Sequence, residues 1–215
     1  MTANQPTETR IARCSGTPRF LACADSVLDD GGPMNDPNNP EAWLGTAGHK
    51  VVAHVPMGTD PDINAIAAEY GADAAELWPL YAFAKQAWDA LGKWMPNPSV
   101  EQHLEAQLSK TLTMRGTPDV YSVSYIGEAL ASMAVLDWKT GWGDIDHIEQ
   151  LMSYALLLVE RHGMPSSGHV LLAETHLRFR SRTVTHATED DLEGHKQRLI
   201  KQARSEEHTS ELQSR

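Results

Sequence analysis

Cysteine is scarce in this 215-residue chain, which has only Cys14 and Cys23. Two thiols build no disulfide framework and fall short of the four ligands of a cysteine zinc or iron–sulfur site. Positive charge is scarce as well. The 18 Lys+Arg stand against 29 Asp+Glu, a formal net charge of -11, which argues against a broad electrostatic grip on nucleic acid. Phosphate chemistry on such a chain would draw its positive charge from bound metal. Long apolar runs are missing too: no stretch reaches the roughly 18–20 consecutive apolar residues of a membrane span. The polar opening Met1-Thr2-Ala3-Asn4-Gln5-Pro6 lacks the basic-then-apolar order of a signal peptide. These absences lead to the expectation of a cytoplasmic protein without membrane association. A 41% hydrophobic content over this length suffices for one core-bearing domain.

What is present divides by hydrophobic period. Residues 29–40 are dense in Asp, Asn, Gly and Pro and read as a loop. A helix is expected over 41–55. Leu77, Leu80, Tyr81, Ala84, Trp88 and Leu91, at steps of three and four, predict an amphipathic helix ending near Gly92. Residues 100–108 read as a further short helix. The period then changes to two: Tyr121, Val123 and Tyr125 alternate with serines, Gly127-Glu128 offers a turn, and 133–139 forms the returning strand. Ile148, Leu151, Met152, Ala155, Leu156 and Val159 restore the helical period until Gly163 and Pro165. A strand over 169–179 and a helix over 190–203 complete an α/β order with an α-rich lead. The six tryptophans read mostly as core, with Trp142, between Gly141 and Gly143, set apart as a candidate for stacking on substrate bases.

The chemistry concentrates between residues 116 and 154. On a strand, Asp137 and Lys139 point to one face while Leu136 and Trp138 point to the other, so a carboxylate and an ammonium converge. Closing the hairpin brings Asp119 beside Asp137. Two convergent carboxylates suit a hard cation such as Mg²⁺ or Mn²⁺. Gln150 and Tyr154, four apart on a helix, share one face. Lys110, Arg115, Arg178, Arg180 and Arg182 are basic residues within reach of such a site.

Five stretches occur in one order: Arg13-Cys14-Ser15-Gly16-Thr17, Gly45-Thr46-Ala47-Gly48-His49, Gly116-Thr117-Pro118-Asp119, Leu136-Asp137-Trp138-Lys139-Thr140-Gly141 and Gln150-Leu151-Met152-Ser153-Tyr154. In them the chain resembles the RecB-like nucleases of the PD-(D/E)XK superfamily, among them phage recombination exonucleases and CRISPR-associated RecB-like nucleases. The resemblance covers about residues 10–200. It implies a restriction-endonuclease-like core, a mixed β-sheet flanked by helices, and a metal-dependent DNA nuclease, an exonuclease of phage or prophage recombination, using Mg²⁺ or Mn²⁺. It implies that Asp119, Asp137 and His49 hold metal, with Glu101 a further candidate and Glu105 its competitor. Lys139 would be the catalytic lysine, and Gln150 and Tyr154 would line the substrate groove. DNA is the implied partner, alongside a recombination protein or further copies of the chain. Some members hold an iron–sulfur cluster through one N-terminal and three C-terminal cysteines. Cys14 stands in the context of the first, and the present chain cannot supply the rest. A catalytically silent nucleic-acid-binding or assembly module on the same fold is the alternative, and a metal-dependent hydrolase of another substrate a third.

Residues 204–214 resemble the translation of a short-read sequencing adapter. Residues 204–215 are therefore set aside as an artefactual tail, and a single nuclease domain, truncated at its C-terminus, is expected over 1–203.

Overall fold

The computed structural model describes residues 9–22, 40–141 and 147–213. Among the described residues, two sheets and six α-helices make up this α/β structure. Strand β1 (Arg10–Arg13) leads through a short 3₁₀ turn into helix α1 (Thr17–Ala22), and α2 (Pro40–Met57), α3 (Ile63–Tyr70) and α4 (Ala74–Leu91) follow. Asp62 and Asp73 start α3 and α4 by accepting from the backbone N–H of Ala65 and Ala75. Strands β2 (Ser99–Val100), β3 (Leu104–Ser109), β4 (Leu112–Gly116), β5 (Val120–Ile126) and β6 (Ala129–Lys139) precede α5 (Ile148–His162), β7 (His169–His176), β8 (Ser181–Thr188) and α6 (Glu189–Gln213). One sheet has the order β1-β4-β3 and the other β2-β5-β6-β7-β8, the latter antiparallel except where β6 and β7 run parallel through the α5 crossover.

Alternation along β6 divides the core. Ala134, Leu136 and Trp138 pack with α2, α3 and α4, whereas Met133 and Val135 pack with α1, α5, α6 and the three-stranded sheet. Asp137 and Lys139 therefore point to the α5 side, at the carboxyl ends of the parallel pair.

The hairpin, the long helices and the α/β class agree with the sequence expectation. Residues 100–108 do not: they form β2 and β3, with Leu104 and Leu108 buried, Ala106 half-buried and Glu105 and Gln107 turned outward. A spacing of four between apolar residues satisfies period two as well as period 3.6, and pairing with β4 decides the matter. Strand β8 has no apolar signal because it is an exposed edge. Trp138 is buried, but Trp43, Trp78 and Trp94 are exposed, correcting their reading as core. Helix α6 continues past residue 203 to Gln213 through a stretch without glycine or proline. No helix of the described residues is long and apolar enough to cross a membrane.

Thr17, Ser153, His195 and Glu149 link α1, α5 and α6. Ser153 Oγ lies 2.9 Å from His195 Nε2 and 2.8 Å from Thr17 Oγ1, and His195 Nδ1 lies 2.9 Å from Glu149 Oε2. The spacing imitates a hydrolytic triad. Ser153 and His195 are fully buried, however, and the serine hydroxyl donates to the Glu149 carbonyl, so this is a clasp between helices.

Candidate active site

Asp119 ends the approach to β5. The antiparallel register Val120↔Leu136, carried one residue further, sets Asp119 opposite Asp137. Its Oδ2 accepts from the backbone N–H of Trp138 at 2.6 Å, and its Oδ1 lies 3.1 Å from His49 Nδ1. His49 arrives from the opposite layer. Helix α2 can lie close enough because Gly45 and Gly48 face the residue after the lysine: a Cβ at Gly48 would stand 2.8 Å from Thr140 Cγ2, and at Gly45 3.6 Å from Thr140 Oγ1. The glycines of Gly45-Thr46-Ala47-Gly48-His49 thus set the reach of the histidine.

On the α5 side, Lys139 Nζ lies 2.6 Å from Asp137 Oδ2 and donates to Gln150 Oε1 at 2.9 Å. Gln150 Nε2 contacts Asp137 Oδ1 at 3.2 Å and Tyr154 Oη at 3.1 Å. The lysine's ion pair lacks hydrogen-bond alignment, so the buried Oδ2 of Asp137 has no directed donor. Gly116 makes room for the tyrosine, since a Cβ there would fall 2.7 Å from Tyr154 Cε1 and 2.8 Å from Cys14 Sγ. Segments far apart in the sequence therefore fit one another at Gly116.

Burial raises the Asp137 carboxyl to about 6, and the nearby Asp119 carboxylate adds to the rise despite the opposing Lys139 ammonium. His49 moves in the direction its partners favour: burial opposes its charge, but Asp119, helped by Asp137, raises it to about 9. Burial pushes the Tyr154 hydroxyl and the Cys14 thiol upward, so neither ionises near neutral pH. One part-buried cluster, with Asp137 at its dry centre, thus holds two acids, a lysine and an imidazole.

His49, Asp119, Asp137, Lys139, Gln150 and Tyr154 come together. Glu101 is placed differently: its carboxylate accepts from Lys50 Nζ at 2.9 Å, and its link to the cluster is through the backbone, its N–H donating to the Asp119 carbonyl at 3.1 Å. Its competitor Glu105 projects outward from β3 and stands 3.9 Å from His103. Trp142 and Cys23 lie outside the described residues, and Cys14 is a buried free thiol. Arg178, among the basic residues singled out, donates from Nε to the Thr140 carbonyl at 2.6 Å and lies 3.6 Å from Glu76.

Sequence reasoning missed Glu174 and His176 on β7. The register pairs Asp137 with Glu174 and Lys139 with His176, so β7 repeats the acid-x-base spacing of β6 on the same face. The available signal was an alternating polar pair at the end of an apolar strand.

No protein-family model matches the chain, and no curated protein matches it. A solved structure described as the crystal structure of SSO0001 superposes with a TM-score of 0.36 at 13% identity, over 87% of this chain and 82% of that one.

Proposed function

We propose that the chain is a divalent-metal-dependent deoxyribonuclease with a RecB-like PD-(D/E)XK core, an exonuclease of phage or prophage recombination type that hydrolyses phosphodiester bonds. The observation that carries this reading is the convergence of Asp119, Asp137, Lys139 and His49 from three separate segments onto one end of the sheet. The donor set fits Mg²⁺ or Mn²⁺: two carboxylates and an imidazole, with the buried Oδ2 of Asp137 met only by the Lys139 ammonium. When bound, such an ion supplies an activated water and neutralises charge developing on the phosphoryl oxygens. Asp119 and Asp137 would hold it, with His49 beside them. Lys139, fixed by Asp137 and Gln150, would place its ammonium at the water or the phosphate. Tyr154 and Gln150 keep the lysine aimed through their own hydrogen bond. The net charge of -11 is compatible with a DNA substrate because the ion brings positive charge to the point where the phosphate must sit.

The test is cleavage of end-labelled single- and double-stranded DNA by the whole chain with Mg²⁺, Mn²⁺ or EDTA. Lys139→Ala is expected to lower the metal-dependent rate by at least about 10²-fold while circular dichroism shows an unchanged fold. A folded wild-type protein that leaves DNA intact with both metals overturns the reading.

A further inference from the structure

Among the described residues, the group of three His, Cys, Asp or Glu side chains whose ligand atoms lie close enough to share a metal is His147, Glu174 and His176. His147 stands at the N-terminus of α5, and Glu174 and His176 lie at the carboxyl end of β7. Their candidate ligand atoms all lie within 4.8 Å of one another. Glu174 Oε1 is the hub: His147 Nδ1 is 3.4 Å from it, and His176 Nε2 is in direct contact with it. Glu174 and His176 are 6% and 7% exposed, so the carboxylate sits between two imidazoles in a largely dry place.

The hydrogen-bond account does not close. His147 Nδ1, the nitrogen that approaches the carboxylate, is buried and has no aligned hydrogen-bond partner, whereas His176 meets the carboxylate through Nε2 and its unpaired Nδ1 is the other ring nitrogen. A buried nitrogen left unpaired is costly, and a metal ion at the shared centre would satisfy the His147 lone pair aimed there.

We propose that His147, Glu174 and His176 bind a borderline divalent transition-metal ion of the Zn²⁺ class, at a site whose ligands are distinct from Asp119, Asp137 and His49. Two imidazoles select such an ion over Mg²⁺, whereas the neighbouring carboxylate pair prefers the harder cation. Two histidines and one glutamate give three protein ligands, which leaves a coordination position open. Ligands about 2.0–2.2 Å from one ion stand roughly 3.3 Å apart, close to the His147–Glu174 separation of 3.4 Å. His176 would move back from Glu174 to admit the ion. Because His147 begins the helix carrying Gln150 and Tyr154, the ion would tie the start of α5 to β7 beside Asp137 and Lys139. The inference does not depend on the nuclease reading.

The experiment is a Co²⁺ titration of the untagged, chelator-stripped whole chain in excess Mg²⁺, followed by visible d–d absorption and then displacement by Zn²⁺. One equivalent is expected to give the strong bands of a four- or five-coordinate ion, to be displaced by Zn²⁺, and to raise Tm. Asp119→Asn should keep the bands. His176→Gln should weaken binding by about 10²-fold, as should His147→Ala, whose side chain is partly exposed beside the start of α5, so that the fold survives its loss. A wild-type chain without bands overturns the site. So does a titration unchanged in folded His147→Ala, or one lost in Asp119→Asn and kept in His147→Ala.

Discussion

Asp137 carries the sharpest conflict at the residue scale. Its carboxyl is buried beside a second carboxylate, and its value of about 6 means that folding holds the charged form at a cost once the pH exceeds that value. The folded value lies above the 3.8 of a free aspartate, so the residue's contribution is most favourable below about pH 4 and declines as pH rises through about 6. A two-unit shift corresponds to roughly 2–3 kcal/mol. Asp137→Asn removes that penalty and retains an acceptor for Lys139. In EDTA its Tm is expected to exceed the wild type's by about 4–8 °C at pH 8 and to match it at pH 4; equal Tm values at pH 8 would show that Lys139 already compensates the charge. The positions of Asp137, Lys139 and Asp119 were legible because strand alternation and hairpin closure are local rules. Glu174 and His176 were not, since their importance comes from a parallel register that only the α5 crossover creates. Glu101 shows the converse: a plausible acid in sequence, turned to Lys50 by a backbone at φ 48°.

At the scale of elements, the cluster depends on how closely chain segments approach, and glycine sets that distance twice. Gly48 admits Thr140 against α2, and Gly116 lies where β4, Cys14 and α5 meet. The Gly116 contacts leave little freedom, because a Cβ would also fall 2.9 Å from Cys14 Cβ, an atom tied to its backbone. Gly116→Ala is therefore expected to destabilise the protein by about 1–3 kcal/mol, read from urea unfolding at constant m-value. It should also displace Tyr154, so cleavage should fall further than the population of folded protein accounts for. A variant as stable as wild type would mean that α5 yields easily. The motif order in the sequence marked Gly116 as part of the site but gave no sign that its partner was Tyr154, because that contact joins residues 38 apart across two layers. The misread stretch 100–108 fails for a related reason: β3 takes its identity from β4, not from its own period.

At the scale of the whole molecule, the two sides of α5 titrate against each other. Glu149 and Gln150 are neighbours, yet Glu149 serves the buried His195 clasp and Gln150 serves Asp137. Burial, with the nearby Arg198, lowers His195 to about 4, so the folded chain favours the neutral imidazole. Its contribution is full above the 6.5 of a free histidine and is lost as pH falls toward 4, a span worth roughly 3 kcal/mol. Asp137 runs the other way over nearly the same interval, its cost appearing as pH rises from about 4 to 6. In the wild type the two slopes largely cancel, leaving the other carboxylates to set the residual trend. Removing either group should uncover its opponent. Relative to wild type, Asp137→Asn gains stability as pH rises from 4 to 6.5. His195→Gln, which keeps a polar side chain in the clasp, should lose relative stability over the same interval. The two difference curves should have opposite signs and should sum in the double variant, since the groups share no hydrogen-bond partner. Chemical denaturation at half-unit pH steps in EDTA resolves both curves. A flat curve for His195→Gln would mean that the histidine escapes burial when it charges, and a double variant departing from the sum would place Glu149 and Gln150 in one cooperative unit joining the clasp to the site.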